Sequence, residues 1–166
     1  MQTWCKAHYL DASALVKLAD NSEEERPGRE VLRKYYNNHT SMYATSYSIT
    51  ETLSVFKRKS QRRKITEEQY IKSVQDFIRF SVGWKLQVDE VPILRPIVLS
   101  EAERLIKKHK IDFLDCFQIV TILHGRFHVL GPKSKSILIT ADRGLAKAAR
   151  AEGARVWECT SEPAPV

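Results

Sequence analysis

The sequence predicts an α/β protein of three layers, in which helices cover both faces of a central, mostly parallel sheet. Short apolar segments typical of buried strands alternate along the chain with longer segments of helical spacing. No tight hairpin signal separates consecutive strands, so helical crossovers are expected to join them, as in a parallel sheet.

The first strand is expected at residues 7–11, where AHYLD passes directly into ASALVKLA, a segment of helical spacing. A polar break over residues 21–27 precedes a helix predicted at 29–38. A second strand is expected at 41–45. Asp11 would therefore lie where a strand turns into a helix.

A capping-box spacing between Ser48 and Glu51 predicts that the third helix opens there. A long amphipathic helix follows from Thr66 to near Gly83, and the alternating apolar residues of segment 86–91 predict a strand.

The last third of the chain continues the alternation. Helices are expected over about 97–110 and from Asp112 to near Gly125, and a loop over 125–135. The segments SILIT, DRGLAKAARAEG and ARVWE then predict a strand, a helix and a final strand.

The 166 residues fit one domain, predicted at residues 1–160, followed by a flexible tail at 161–166. No apolar run is long enough to span a bilayer, and the first residues lack the pattern of a secretory signal. Three widely spaced cysteines suggest reduced thiols rather than disulfides or a zinc site. The expected compartment is the cytoplasm.

The net charge of +7 favours a polyanionic partner. Its excess is concentrated in the segment KRKSQRRK, whose basic residues are Lys57, Arg58, Lys59, Arg62, Arg63 and Lys64. These cations could bind phosphates, or could be a solvated helix end that complements the negative end of the helix dipole. Both interpretations can hold at once.

Four acidic residues, each in a different setting, are the strongest chemical signal: Asp11, Glu51, Asp115 and Asp142. Carboxylates brought together by folding repel one another, so such a cluster implies a hard cation, Mg²⁺ or Mn²⁺. Water bound to such an ion can attack a phosphodiester. Each acid also has a structural alternative as a helix cap or as part of a capping box, and Asp112 competes with Asp115 for the capping role.

Around these acids, the segments YLDASALVK, SITETL, IDFLDCF and LITADRGL resemble the motifs of PIN-domain proteins, in particular the VapC-type toxins of prokaryotic toxin–antitoxin pairs. The resemblance spans about residues 7–158. It implies a metal-dependent ribonuclease whose four acids line the catalytic and metal site, with Ser13 and Thr140 as polar support. It also implies an RNA substrate, an antitoxin partner and commonly a homodimer. One departure is the segment HGRFHVLGPKSKS, which is longer than in compact members of the family.

Two rival functions remain open at this point. A PIN-like fold could bind RNA or a protein without cutting. A phosphoryl-transfer enzyme with an aspartyl intermediate would instead carry the motif Asp-x-Asp at the end of a strand, whereas this chain has Asp11-Ala12-Ser13. His124 and His128 have the spacing of a zinc helix, but Gly125 interrupts it and no third ligand is evident, so loop histidines are the default interpretation.

Overall fold

The computed structural model describes residues 7–20, 22, 27–39, 41–82, 85–129 and 136–165. Five strands alternate with seven helices in this part of the chain. In chain order they are β1 (His8–Leu10), α1 (Ala12–Ala19), α2 (Arg29–Asn38), β2 (Met42–Ala44), α3 (Ser46–Gln61), α4 (Glu67–Val82), β3 (Leu86–Val88), α5 (Pro96–His109), α6 (Phe113–His124), β4 (Ile137–Thr140), α7 (Arg143–Ala151) and β5 (Arg155–Glu158).

The five strands form one sheet in the order β3-β2-β1-β4-β5, and every neighbouring pair is parallel. The predicted three-layer α/β/α architecture is therefore confirmed. The strand order reverses between β1 and β4, because the chain first builds outward to β3 and then returns to the other side of β1. In open parallel sheets, this reversal point is where ligands bind, beyond the carboxyl ends of the strands.

Two apolar cores lie on opposite faces of the sheet. Leu10 and Ile139 pack into one core with α1, α2, α3 and α4, whereas Tyr9 and Leu138 pack into the other with α5, α6 and α7. Successive strand residues point to opposite faces, which is why neighbours in β1 and β4 enter different cores. The short apolar runs seen in the sequence are thus strands covered on both sides.

The predicted capping box at Ser48 and Glu51 is wrong. Helix α3 begins at Ser46, and its N-cap is Thr45, whose side chain accepts a hydrogen bond from the Ser48 amide. The strand before it ends at Ala44, which frees Thr45 to cap the helix instead of extending the sheet. Glu51 therefore lies in the second turn of α3 and has no capping role.

Beyond β5 the chain packs back onto the domain. Trp157 Nε1 donates a hydrogen bond to the Glu162 carbonyl oxygen at 3.0 Å, and Arg150 pairs with the Glu162 carboxylate at 2.6 Å. Gly28, at φ +85°, lies so close to this segment that a Cβ there would be 2.1 Å from the Cys159 carbonyl oxygen. The predicted boundary of the domain at residue 160 stays a prediction, and Val166 lies outside the described residues, as does most of the predicted loop, 130–135.

None of the helices in the described part of the chain is both long and apolar enough to cross a membrane.

Candidate active site

The fold brings the four predicted acids to one cleft. Asp11 directly follows β1, and Asp142 lies two residues beyond the end of β4, so both stand at the carboxyl edge of the sheet where the strand order reverses. Glu51 reaches the same place from α3 and Asp115 from the first turn of α6. All four side chains line a single cleft of about 70 Å³.

Asp11 is held by a dense set of hydrogen bonds. The Ala14 amide donates to its Oδ1 at 2.8 Å, which makes Asp11 the N-cap of α1. Its Oδ2 accepts from the hydroxyls of Ser13 at 2.8 Å and Thr140 at 2.7 Å. Asp11 is only 5% exposed. These bonds fix the orientation of the carboxylate without neutralising its charge, and they place Ser13 and Thr140 beside it, as the resemblance implied.

Asp142 and Asp112 are both helix caps. The Oδ1 of Asp142 accepts from the amides of Gly144 and Leu145 at the start of α7. Asp112 Oδ1 accepts from the Asp115 amide at 2.9 Å, so Asp112, and not Asp115, caps this helix. The carboxylate of Asp115 thus lies in the first turn of α6, where it faces the cleft.

The cleft disfavours negative charge. Burial raises the pKa of Asp115 to about 7, and the nearby carboxylates of Asp112, Asp142, Asp11 and Glu51 add to the shift. Burial also raises the pKa of Asp11 to about 6 against the opposing effect of its hydrogen bonds. The pKa of Glu51 is raised as well, first by burial and then by Asp112, although Arg58 opposes the shift.

No basic side chain lines the cleft within the described residues. Clustered oxygen donors with raised pKa values and no cation of their own fit a hard divalent ion, which would relieve their repulsion. No three Asp, Glu, His or Cys side chains of the described segments form a ready-made cage for one ion. Mg²⁺ does not require one, because it usually keeps several waters and binds through one or two carboxylates.

Sequence reasoning missed several residues that line the cleft, namely Tyr47, Ser48, Leu114 and Gln118. Ser48 lies one turn before Glu51, and Gln118 one turn after Asp115. The signal for both was helical spacing, because residues three apart share a face of a helix. For Ser48, this spacing could be used only with the correct start of α3, and the capping-box interpretation placed Ser48 at the cap instead of inside the helix.

The predicted basic run occupies the C-terminal end of α3 and the turn after it. Five of its basic residues are exposed, namely Lys57, Arg58, Arg62, Arg63 and Lys64. Lys59 differs, because its Nζ lies 2.6 Å from Oδ2 of Asp20, a side chain only 1% exposed. Its charge is already compensated within the fold. The predicted role of Lys59 in RNA binding is therefore withdrawn, and the role of the other five remains a prediction.

The two histidines with zinc-helix spacing are separated by the end of α6. His124 is the last residue of that helix, and Gly125 is its C-cap. His128 Nδ1 hydrogen bonds to the Gly125 carbonyl oxygen at 2.6 Å.

The chain belongs to the PIN domain family, whose model matches residues 8–151. Proteins of this family are typically nucleases. No curated protein matches the sequence.

Two solved structures share the fold. PAE2754 from Pyrobaculum aerophilum superposes with a TM-score of 0.59 at 16% identity, covering 93% of this chain and 92% of that one. VapC20 from Mycobacterium tuberculosis, described as a toxin that cleaves the sarcin-ricin loop, gives a TM-score of 0.55 at 12% identity, with 86% and 95% covered. At these identities the likeness concerns the fold.

Proposed function

We propose that the protein is a Mg²⁺- or Mn²⁺-dependent endoribonuclease that hydrolyses RNA phosphodiester bonds and acts as the toxin of a toxin–antitoxin pair. The observation that carries this proposal is the cleft at the sheet reversal, where four carboxylates meet, three of them (Asp11, Glu51 and Asp115) with raised pKa values, and no basic side chain of the described residues lines it. Membership of the PIN family supports nuclease chemistry. The shared fold with VapC20, a toxin that cleaves the sarcin-ricin loop, supports the finer assignment.

Asp11, Glu51 and Asp115 would hold the ion, and Asp142 would complete the site. A bound divalent ion supplies a water of lowered pKa and offsets the charge that develops on the phosphate oxygens. The protein contributes orientation: Ser13, Thr140 and the Ala14 amide fix the Asp11 carboxylate before any ligand arrives. No step needs a covalent intermediate, and the hydroxyls of Ser13 and Thr140 beside Asp11 are committed to hydrogen bonds with its carboxylate.

The basic end of α3 would bind the flanking phosphates of the RNA. Arg58 lies close enough to the cleft to lower the pKa of Glu51, and Arg62 follows one turn further along the helix. This places cations beside an acidic cleft that would otherwise repel RNA. A single-stranded or looped RNA can bend its backbone into such a cleft, whereas a regular duplex would fit poorly.

A cytoplasmic homodimer paired with an antitoxin completes the proposal. Helix α4 exposes Ile71, Ile78 and Val82, spaced so that they share one face, and such a stripe offers an apolar contact surface. Both described cysteines, Cys116 and Cys159, are free and buried, in keeping with a reducing compartment.

The first test combines metal binding with RNA cleavage. Calorimetry should show that the wild type binds Mn²⁺ and that Asp11→Asn binds it much more weakly. A labelled looped RNA should be cut by the wild type only when Mg²⁺ or Mn²⁺ is present. Cleavage that persists unchanged in EDTA contradicts the mechanism. RNA binding without any metal-dependent cleavage would favour the alternative, a non-catalytic PIN-like binding module.

A further inference from the structure

Gln118 is an unexpected residue in its helix. It is 5% exposed and stands among the buried apolar side chains of Cys116, Phe117, Ile119 and Val120 in α6. It also lines the acidic cleft, one turn after Asp115. A buried amide in an apolar run needs a structural or functional reason, because its polar atoms lose water on folding.

The Gln118 side chain connects the two helices that carry Glu51 and Asp115. Its Nε2 donates to the Ser48 hydroxyl and lies 3.4 Å from Thr45 Oγ1. Ser48 is one turn before Glu51 on α3. The hydrogen bond therefore joins α3 to α6 one turn away from each of the two acids.

These two helices belong to different layers of the fold. Phe56 of α3 packs into the core on one face of the sheet, and Phe117 of α6 packs into the other. The separation of Glu51 and Asp115 is thus a separation between layers. Beside the hydrogen bond of Gln118, an edge contact between the Tyr47 and Phe117 rings, 5.1 Å between centroids, also links the two helices.

Stability alone does not explain the amide. Its Oε1 is buried and accepts no hydrogen bond from the described residues, a situation that costs free energy. Removing the amide would leave neither hydroxyl without a hydrogen-bond partner, because the Ser48 and Thr45 hydroxyls are 2.9 Å apart and pair with each other. An apolar side chain of the same size would therefore suit the fold at least as well.

We propose that Gln118 is a positioning residue which, through Ser48, holds Glu51 and Asp115 at the spacing that the divalent ion requires. This inference rests on the proposed metal site and names a residue outside its four acids. Groups that orient metal ligands typically contribute 10- to 100-fold to metal affinity. Gln118 should therefore raise metal affinity while it slightly lowers the stability of the metal-free fold.

The test variant is Gln118→Met, which keeps the length of the side chain and removes its N–H donor. Calorimetry without RNA should show Mn²⁺ affinity lower by about 10-fold or more. Thermal unfolding in EDTA should occur at the same or a higher temperature than in the wild type. A variant that unfolds earlier but binds Mn²⁺ with wild-type affinity would show a merely structural role and overturn the proposal.

Thr121→Val is the matched control. Thr121 lies one turn further along α6, is fully buried, and its hydroxyl also has no partner in the described structure. Valine has the same shape, so this variant removes a buried polar atom without touching the connection to α3. Its Mn²⁺ affinity should equal that of the wild type. A loss as large as that of Gln118→Met would point to general loosening of α6 and overturn the specific role.

Ser48→Ala completes a double-mutant cycle. If Gln118 acts through Ser48, each single variant and the double variant should lose similar Mn²⁺ affinity, because one connection is broken in all three. Additive losses would contradict the connection. If the wild type binds no Mn²⁺, the proposed function itself fails, and the positioning role with it. Wild-type binding that Gln118→Met leaves unchanged overturns the positioning role alone.

Discussion

The two ends of helix α3 carry opposite charges, and they differ in how far the fold compensates those charges. Near its start, Glu51 faces a cleft lined by four carboxylates, and no basic side chain of the described residues lines it. At its end, the basic run 57–64 meets an acidic partner directly, since Lys59 pairs with the buried Asp20 at 2.6 Å. One end of the helix thus keeps its charge uncompensated, whereas the other is partly neutralised by the fold.

The difference separates charges that serve the fold from charges that are available to a ligand. Lys59 and Asp20 neutralise each other, and Lys57 lies 5.2 Å from the centre of the Tyr70 ring. At the cleft, hydroxyls and amides orient Asp11 and Asp142 but bring no positive charge. Breaking each kind of arrangement should therefore have a different consequence: loss of activity at the cleft, loss of stability at Lys59, and loss of RNA affinity at the exposed cations.

The largest expected effect concerns Asp115 and Asp112, which stand three residues apart at the start of α6. Asp115→Asn should reduce metal-dependent RNA cleavage to the background level, because it removes a cleft carboxylate. Asp112→Asn should keep most of the activity and cost at most about 1 kcal/mol of stability, because Asn also caps helices. Initial cleavage rates and urea unfolding of both variants measure this. If Asp112 is essential and Asp115 dispensable, the site has been placed one turn wrong.

The next largest effect is on stability. Lys59→Met should lower the free energy of unfolding by about 3 kcal/mol, because it leaves the buried Asp20 carboxylate without its cation. The control is Lys57→Met, whose ammonium lies over the partly buried ring of Tyr70 near the surface and should contribute less than about 1 kcal/mol. Urea unfolding of the two variants separates them. Equal stability of both would show that Lys59 is as dispensable to the fold as its neighbour.

The fold and the order of the acids could be predicted from the sequence because both depend on local patterns. Asp11, Asp112 and Asp142 follow or precede segments with clear periodicity, so their positions at the ends of strands and helices were readable. The hydrogen bond between Gln118 and Ser48 could not be predicted, because it joins residues 70 positions apart on helices of different layers. The pairing of Lys59 with Asp20 could not be predicted for the same reason, since the sequence of the basic run does not show which of its residues meets an acidic partner in the fold.

A smaller effect should appear in the pH dependence of the metal-free protein. The pKa of Asp115 is about 7 in the fold against an ordinary value of 3.8, so the folded protein holds this proton more tightly than the unfolded chain does. The free energy of unfolding should therefore fall as pH rises from about 4 to 7.

Asp115→Asn should flatten that fall by on the order of 1 kcal/mol, a figure reduced for the partial exposure of the side chain. Urea unfolding in EDTA at several pH values measures it. An identical pH profile for variant and wild type would mean that the cleft tolerates the ionised Asp115 without strain.

The smallest effect is expected from the exposed cations. Removing two phosphate contacts by Arg62→Gln with Arg63→Gln should reduce the salt slope of binding to single-stranded RNA by roughly 1.4, with a few-fold loss of affinity regardless of sequence. Binding is measured in the Asp115→Asn background, so that the RNA stays intact.

Lys107→Gln with Lys110→Gln is the matched control, because it removes the same charge from the end of α5. Lys110 at φ 59° also has the same left-handed backbone conformation as Arg63 at φ 55°. If both pairs change the slope equally, net charge alone attracts the RNA. A change confined to Arg62 and Arg63 would place the RNA backbone along α3, beside the acids that would cut it.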